Sequence, residues 1–204
     1  MDFGKNFSYV TEDEAWIKKV LIAGLPLLVP CLNIVWMFAV VGFLKKLFLN
    51  VVAGEERPIP EWDDFGGYIM SGLKSIVVPI GYMAPFFVLM ILSYGTSFAL
   101  AIMKVPGLAI LPMICMWCIS FPIGLLINIM LPVGLMRYWT TDSYGEAFKF
   151  GAVIGFVKAN LGSYLISWVI HLLAGICFIF PYGYFVAWKC FGDLWRGQGE
   201  TSEA

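Results

Sequence analysis

Four apolar runs, residues 20–44, 76–103, 105–136 and 161–188, set the terms on which this chain can fold. A helix crosses the roughly 30 Å hydrocarbon core of a bilayer in about 20 residues, and each run reaches that length. None alternates with period two, so helices are expected rather than strands. With 60% apolar residues, 13% charged residues and a mean hydropathy of +0.84, the 204-residue chain carries more apolar surface than one water-soluble core can cover. The remainder has to face lipid. A net charge of −1 supplies no basic field for nucleic acid, and that class drops out.

The first run is interrupted by Gly24-Leu25-Pro26 and by Pro30-Cys31-Leu32-Asn33. Each half is then about 10–14 residues, the length of a re-entrant or interfacial segment. Basic residues collect on the cytoplasmic side of a membrane. If all four runs cross, the lysines and arginines divide six against seven; if the first run dips and returns, and the last turns back at Pro181-Tyr182-Gly183, twelve share one side and Lys104 alone lies on the other. The second arrangement is favoured, with Pro-kinked spanning helices as its alternative.

The expected fold is therefore all-α: one helical integral membrane domain over residues 1–204, with two full spans at 76–103 and 105–136. Pro-broken helical segments at 19–44 and 161–195, interfacial segments at 45–75 and 137–160, and a polar tail at 196–204 complete it. Most basic loops and both termini are placed in the cytoplasm. The opening residues carry acids early and show no small-x-small cleavage site, so no removable leader is expected.

Three polar segments share a design, a capped helix start followed by an amphipathic, lysine-bearing stretch. Thr11-Glu12-Asp13-Glu14 and Ser143-Tyr144-Gly145-Glu146 fit the capping box, and Asp63 or Asp64 suits the middle segment. Behind the caps, Gly67, Ser71 and Ser75 form one small-residue stripe, and Gly151, Gly155, Ala159 and Ser163 another. Such stripes let helix backbones approach closely in lipid, so both are expected to pack on a helix.

The polar stretch Arg57–Ser75 holds Pro58, Pro60, Glu61, Trp62, Asp63 and Asp64. Its prolines favour an extended chain along the membrane surface, its Trp62 and Phe65 rings suit headgroup depth, and its aspartates suit a helix N-terminus. The competing reading gives Glu61, Asp63 and Asp64 a divalent cation or a basic partner. Pro60-Glu61-Trp62-Asp63-Asp64-Phe65-Gly66, with Gly72-Leu73-Lys74, Tyr82 and Pro85, resembles the signature of a prokaryotic multi-pass membrane family, domain of unknown function 4013. Met1–Lys5, Trp16 with Lys18-Lys19, and Gly54-Glu55-Glu56 are similar to it as well, while Phe43 stands where that family usually has tyrosine. The resemblance implies the multi-pass topology and carries no activity.

Asn33, Asn128 and His171 are the deep polar side chains, and each is expected to make an interhelical hydrogen bond or to line a polar path. One histidine cannot build a histidine zinc site. Cys115-Met116-Trp117-Cys118 has redox-pair spacing inside an apolar helix, where packing explains it, and the five cysteines imply no disulfide framework. No P-loop, nucleophile elbow or HExxH helix occurs. The expectation is a non-enzymatic membrane component, without cofactor or metal, whose partners are the bilayer and a second copy or another membrane protein. A transporter working through Pro-broken helices is the alternative, and a lipid-processing enzyme the third.

Overall fold

The computed structural model describes residues 3–176 and 180–202, and every regular element among them is helical. Met1, Asp2 and Cys177 lie outside those residues. Helices α1 (Phe3–Glu12) and α2 (Trp16–Gly24) lead through a 3-10 turn at Leu25–Leu28 into α3 (Leu32–Ala53). Then come α4 (Phe65–Ser75), α5 (Val77–Ile102), the short α6 (Pro106–Ala109), α7 (Leu111–Thr141), the short α8 (Tyr144–Ala147), α9 (Phe150–Ala159), α10 (Leu161–Ile176) and α11 (Phe180–Ser202).

The first apolar run breaks where its prolines stand. Pro26 sits in the 3-10 turn, and Cys31 takes φ 67°, a left-handed conformation that a residue with a Cβ adopts at a cost. From that corner α3 folds back, and the Trp36 indole Nε1 donates to the Ile22 carbonyl at 2.9 Å, tying α3 to α2. Among the described residues three apolar stretches are long enough to cross a membrane, Leu32–Ala53, the continuous Phe65–Ile102 and Gly107–Thr141, and the bent pair Phe150–Ala159 and Leu161–Gly175 would make a fourth if it acts as one span. Pro85, Pro122 and Pro132 lie inside α5 and α7 without ending either helix.

The core forms around α3. Helix α4 runs antiparallel to it, and the two backbones meet at reciprocal glycines. A Cβ on Gly42 would stand 2.0 Å from the Tyr68 carbonyl oxygen, and one on Gly72 1.9 Å from that of Phe38. Only glycine permits that approach. Helix α11 covers another side of α3, with Phe185 stacked on Phe43 at 5.3 Å and Trp188 edge-on to Phe48 at 6.0 Å. Helix α10 returns antiparallel along α11, as the pairs Tyr164–Phe191 and His171–Tyr184 record. A turn at Pro181-Tyr182-Gly183 is corrected: all three residues lie inside α11, with Pro181 in its first turn, where a missing amide costs nothing.

Helices α5 and α7 form a second, different unit. They pack antiparallel, with Tyr82 against Gly134, and the Tyr82 hydroxyl donates to the Ala147 carbonyl at 2.8 Å. Beyond Tyr82 on α5 and before Ile127 on α7, Met116 is the one buried apolar side chain among the described residues. The hairpin leaves the body there, and its turn carries Lys104 at φ 57°.

Two expected caps are corrected. Thr11 lies inside α1, where its hydroxyl donates to Ser8 O; Asp13 instead organises the start of α2 by accepting from the Ala15 amide at 2.9 Å. Ser143 makes no side-chain cap, and Glu146 turns away from it to Arg137 and Lys149. The Ser143 amide, which a capping box would give to Glu146, donates instead to Thr141 Oγ1 at 3.3 Å. Asp64 is the N-cap of α4, accepting from the Gly67 amide at 2.9 Å.

Candidate functional site

The stretch from Pro58 to Asp64 has no helix of its own, so its backbone needs partners from elsewhere. Asn50 on α3 donates from Nδ2 to the Pro58 carbonyl at 3.0 Å. The Tyr68 hydroxyl donates to the Glu61 carbonyl at 2.6 Å and more weakly to Asp63 Oδ1 at 3.4 Å. Trp62 Nε1 donates to the Lys19 carbonyl at 3.1 Å. Three helices thus hold one loop.

Trp62 is the centre of this clasp. Its ring lies flat on Phe43 at 4.2 Å and 14°, with Trp36 at 5.8 Å, Phe65 at 5.6 Å and Tyr68 edge-on at 5.6 Å. Offset-stacked and T-shaped geometries suit ring quadrupoles and add about 0.5–1.5 kcal/mol per pair beyond area burial. The Trp62 ring is stapled between α3 and α4. A phenylalanine at position 43 serves here because what that site presents to Trp62 is a ring face.

Lys19 lies beneath the loop, 3% exposed. Its ammonium meets Asp13 Oδ2 at 2.8 Å, Glu61 Oε1 at 2.6 Å and the Ile59 carbonyl at 3.3 Å. Burial pulls its pKa down, but the hydrogen bonds and charges of Asp13 and Glu61 outweigh burial and raise it. The lysine stays charged and joins α1, α2 and the loop. With its folded pKa raised, the stability it contributes is present below the ordinary lysine range and lost as pH climbs through the raised value.

The three carboxylates do not converge. Glu61 is spent on Lys19, Asp63 receives Tyr68, and Asp64 caps α4. No group of three or more His, Cys, Asp or Glu side chains among the described residues could hold a metal. Chemically, this arrangement is a fastening.

The small-residue stripes fall differently from the helical count. On α4 the side facing α3 carries Tyr68, Gly72 and Ser75; Gly67 is exposed beside its own cap and Ser71 is half-buried, its carbonyl accepting from Ser75 Oγ. Ser75 Oγ also receives Trp139 Nε1 of α7 at 2.9 Å. On α9 the buried side is Val153 and Phe156, while Gly151, Gly155 and Ala159 are exposed, with nothing within 4 Å of a Cβ built on either glycine.

The deep polar residues do not meet either. Asn33 is exposed at the start of α3. Asn128 accepts from Trp168 Nε1 at 2.9 Å, fastening α7 to α10. His171 is half-buried against Tyr184, Trp188 and Phe191, its Nδ1 without a hydrogen-bond partner among the described residues. Cys115 and Cys118 are exposed free thiols on α7, as is Cys31 at the corner before α3.

Motif reading singled out neither Trp36 nor Tyr68, and it did not show that Asp13, Lys19 and Phe43 meet the loop. The seven-residue spacing of Trp36 and Phe43, which puts both rings on one side of α3, was the available signal.

The model of a family described as Protein of unknown function (DUF4013) matches residues 25–187. The chain belongs to that family. The match begins inside the first broken run and ends within α11, so it takes in Trp62 with its ring partners and the hairpin, while Asp13 and Lys19 precede it. No curated protein and no solved structure matches the chain.

Proposed function

We propose that this member of the DUF4013 family is a non-enzymatic integral membrane protein that works by packing against other membrane helices, a second copy of itself first among them. The observation that carries this reading is α9. One side of the helix is spent on the core through Val153 and Phe156; on the other Gly151, Ile154, Gly155 and Ala159 are exposed, and among the described residues nothing lies within 4 Å of a Cβ built on either glycine. Helix α9 meets α10 at 102°, so with α10 steep in the bilayer α9 lies along its surface, flanked by Lys149 and Lys158. An open small-residue face at that depth is suited to close helix contact.

In the proposed topology α5 and α7 are the two full spans. The α2–α3 corner dips in and returns: from Leu32 to Leu44, ahead of Lys45 and Lys46, α3 offers only about 20 Å of apolar helix, short of the core thickness. Helices α10 and α11 form the second returning hairpin. Basic side chains and both termini then lie on the cytoplasmic face, with Lys104 opposite.

Oligomeric mass in detergent tests the packing. Gly151→Leu and Gly155→Leu are expected to shift an assembled species to the single chain, and a wild type that is already a single chain, unchanged by both, overturns the proposal. Labelling of single cysteines at 1, 50, 104, 142 and 200 tests the topology, and the expected result is that only position 104 reacts from outside.

A further inference from the structure

Helix α2 has one side that neither the core nor α3 covers. Ile17, Leu21, Ile22, Leu25 and Pro26, with Trp36 as the wall, line an open groove of about 740 Å³, in the size range of small-molecule sites. Ile17, Leu21 and Leu25 are 57%, 47% and 56% exposed, so the apolar surface is real rather than sealed. Along the chain the groove runs from Glu14 to Pro26, and the nine residues of α2 within it span about 14 Å, comparable to the depth of one leaflet.

Its polar end is distinctive. Glu14, in the turn ahead of α2, and Lys18, in the first turn, both line it and both are exposed. They stand four positions apart, yet form no ion pair with each other or with any described side chain, while neighbouring Lys19 is fully engaged by Asp13 and Glu61. An unpaired carboxylate and an unpaired ammonium thus sit one helical turn apart at the mouth of an apolar trough.

We propose that this groove binds a phospholipid of the surrounding leaflet with a primary-amine zwitterionic headgroup, phosphatidylethanolamine. Lys18 Nζ donates to the phosphate, the ethanolamine ammonium donates to Glu14, and one acyl chain lies along Leu21, Leu25 and Trp36. A choline headgroup has no N–H to give Glu14, and a glycerol headgroup has no cation. The inference rests on the membrane reading above and is separable from it, because oligomeric mass and cysteine topology do not involve this groove.

The test uses the full chain in detergent with mixed micelles holding equal amounts of phosphatidylethanolamine, phosphatidylcholine and phosphatidylglycerol, and counts retained lipid by native mass spectrometry. Retention of the ethanolamine lipid over the other two by about tenfold, the value of one charge-assisted hydrogen bond, is expected. Glu14→Gln should abolish that preference, and Leu21→Trp, which fills the groove, should abolish retention. Glu14 is exposed and unpaired, so its variant reads the site even if Leu21→Trp fails to fold. Equal retention of the three lipids by the wild type, or an undiminished preference in Glu14→Gln, overturns the proposal.

Discussion

The α3–α4 body and the α5–α7 hairpin are both built from apolar helices, and they spend their side chains in opposite ways. The most apolar stretch of α3 has 44% of its residues buried, whereas the corresponding stretches leading into α5 and α7 have 17% each. In the body, glycines admit backbones and aromatic rings stack on a loop; in the hairpin, outward leucines, isoleucines and phenylalanines meet no part of the chain. Hydropathy is blind to that difference, because lipid and protein interior are both apolar. What separates them is whether small residues and polar anchors oppose one another across an interface.

The sharpest way to break the comparison is to add one methyl group to the body. Gly72→Ala places a Cβ where a 1.9 Å approach to Phe38 O leaves no room, and neither backbone atom can swing aside. The helices have to separate, at a cost of about 3 kcal/mol, the upper part of the range for overpacking. Gly42→Ala should behave alike, since Gly42 faces Tyr68 O at 2.0 Å. Thermal unfolding in detergent reads both, and wild-type stability in either would mean that the two helices do not cross at these glycines.

Next in size is the asymmetry around Lys19. Asp13 is 14% exposed and Glu61 68%, so Asp13 works in the drier surroundings. Asp13→Asn should cost about 2 kcal/mol, as for a hydrogen bond to a charged group, and Glu61→Gln well under 1 kcal/mol after solvent screening. Reversed magnitudes in the same unfolding measurement would move the weight of the clasp to the loop.

How far the sequence carries these distinctions depends on the kind of feature. The helical class, the break at Pro26 and Pro30 and a cap at Asp63 or Asp64 were legible, because each follows from local chemistry within a few residues. Register was not: Gly67, Ser71, Gly72 and Ser75 offer two overlapping stripes, and only the position of Phe38 selects Gly72. Lys19 was counted with the surface charges because nothing local says that Asp13 and Glu61, on opposite sides of it in the chain, close over it. The Glu146 box failed for a similar reason, since Arg137 approaches from the end of α7.

That last contact predicts a pH effect on the base of the hairpin. Lys149, and after it Arg137, hold the Glu146 carboxyl below the usual carboxylate range. A depressed folded pKa contributes stability that is present above the unfolded value and lost as pH falls through the folded one. The melting temperature should therefore decline in acid below the ordinary carboxylate range, and Glu146→Gln should flatten that part of the profile. An unaltered acid slope would assign the decline to other carboxylates.

The smallest expected effect has the opposite sign. Gly95 lies within α5 in the exposed part of the hairpin, with nothing within 4 Å of a built Cβ. Gly95→Ala therefore meets no backbone and removes only the excess freedom of glycine, so it should stabilise by about 0.5–1 kcal/mol. One methyl group at position 72 and one at position 95 are the same chemical change within one helical stretch, Phe65–Ile102. If both destabilise, the hairpin surface is covered by something outside the chain, and the second copy proposed for α9 becomes the first occupant to look for there.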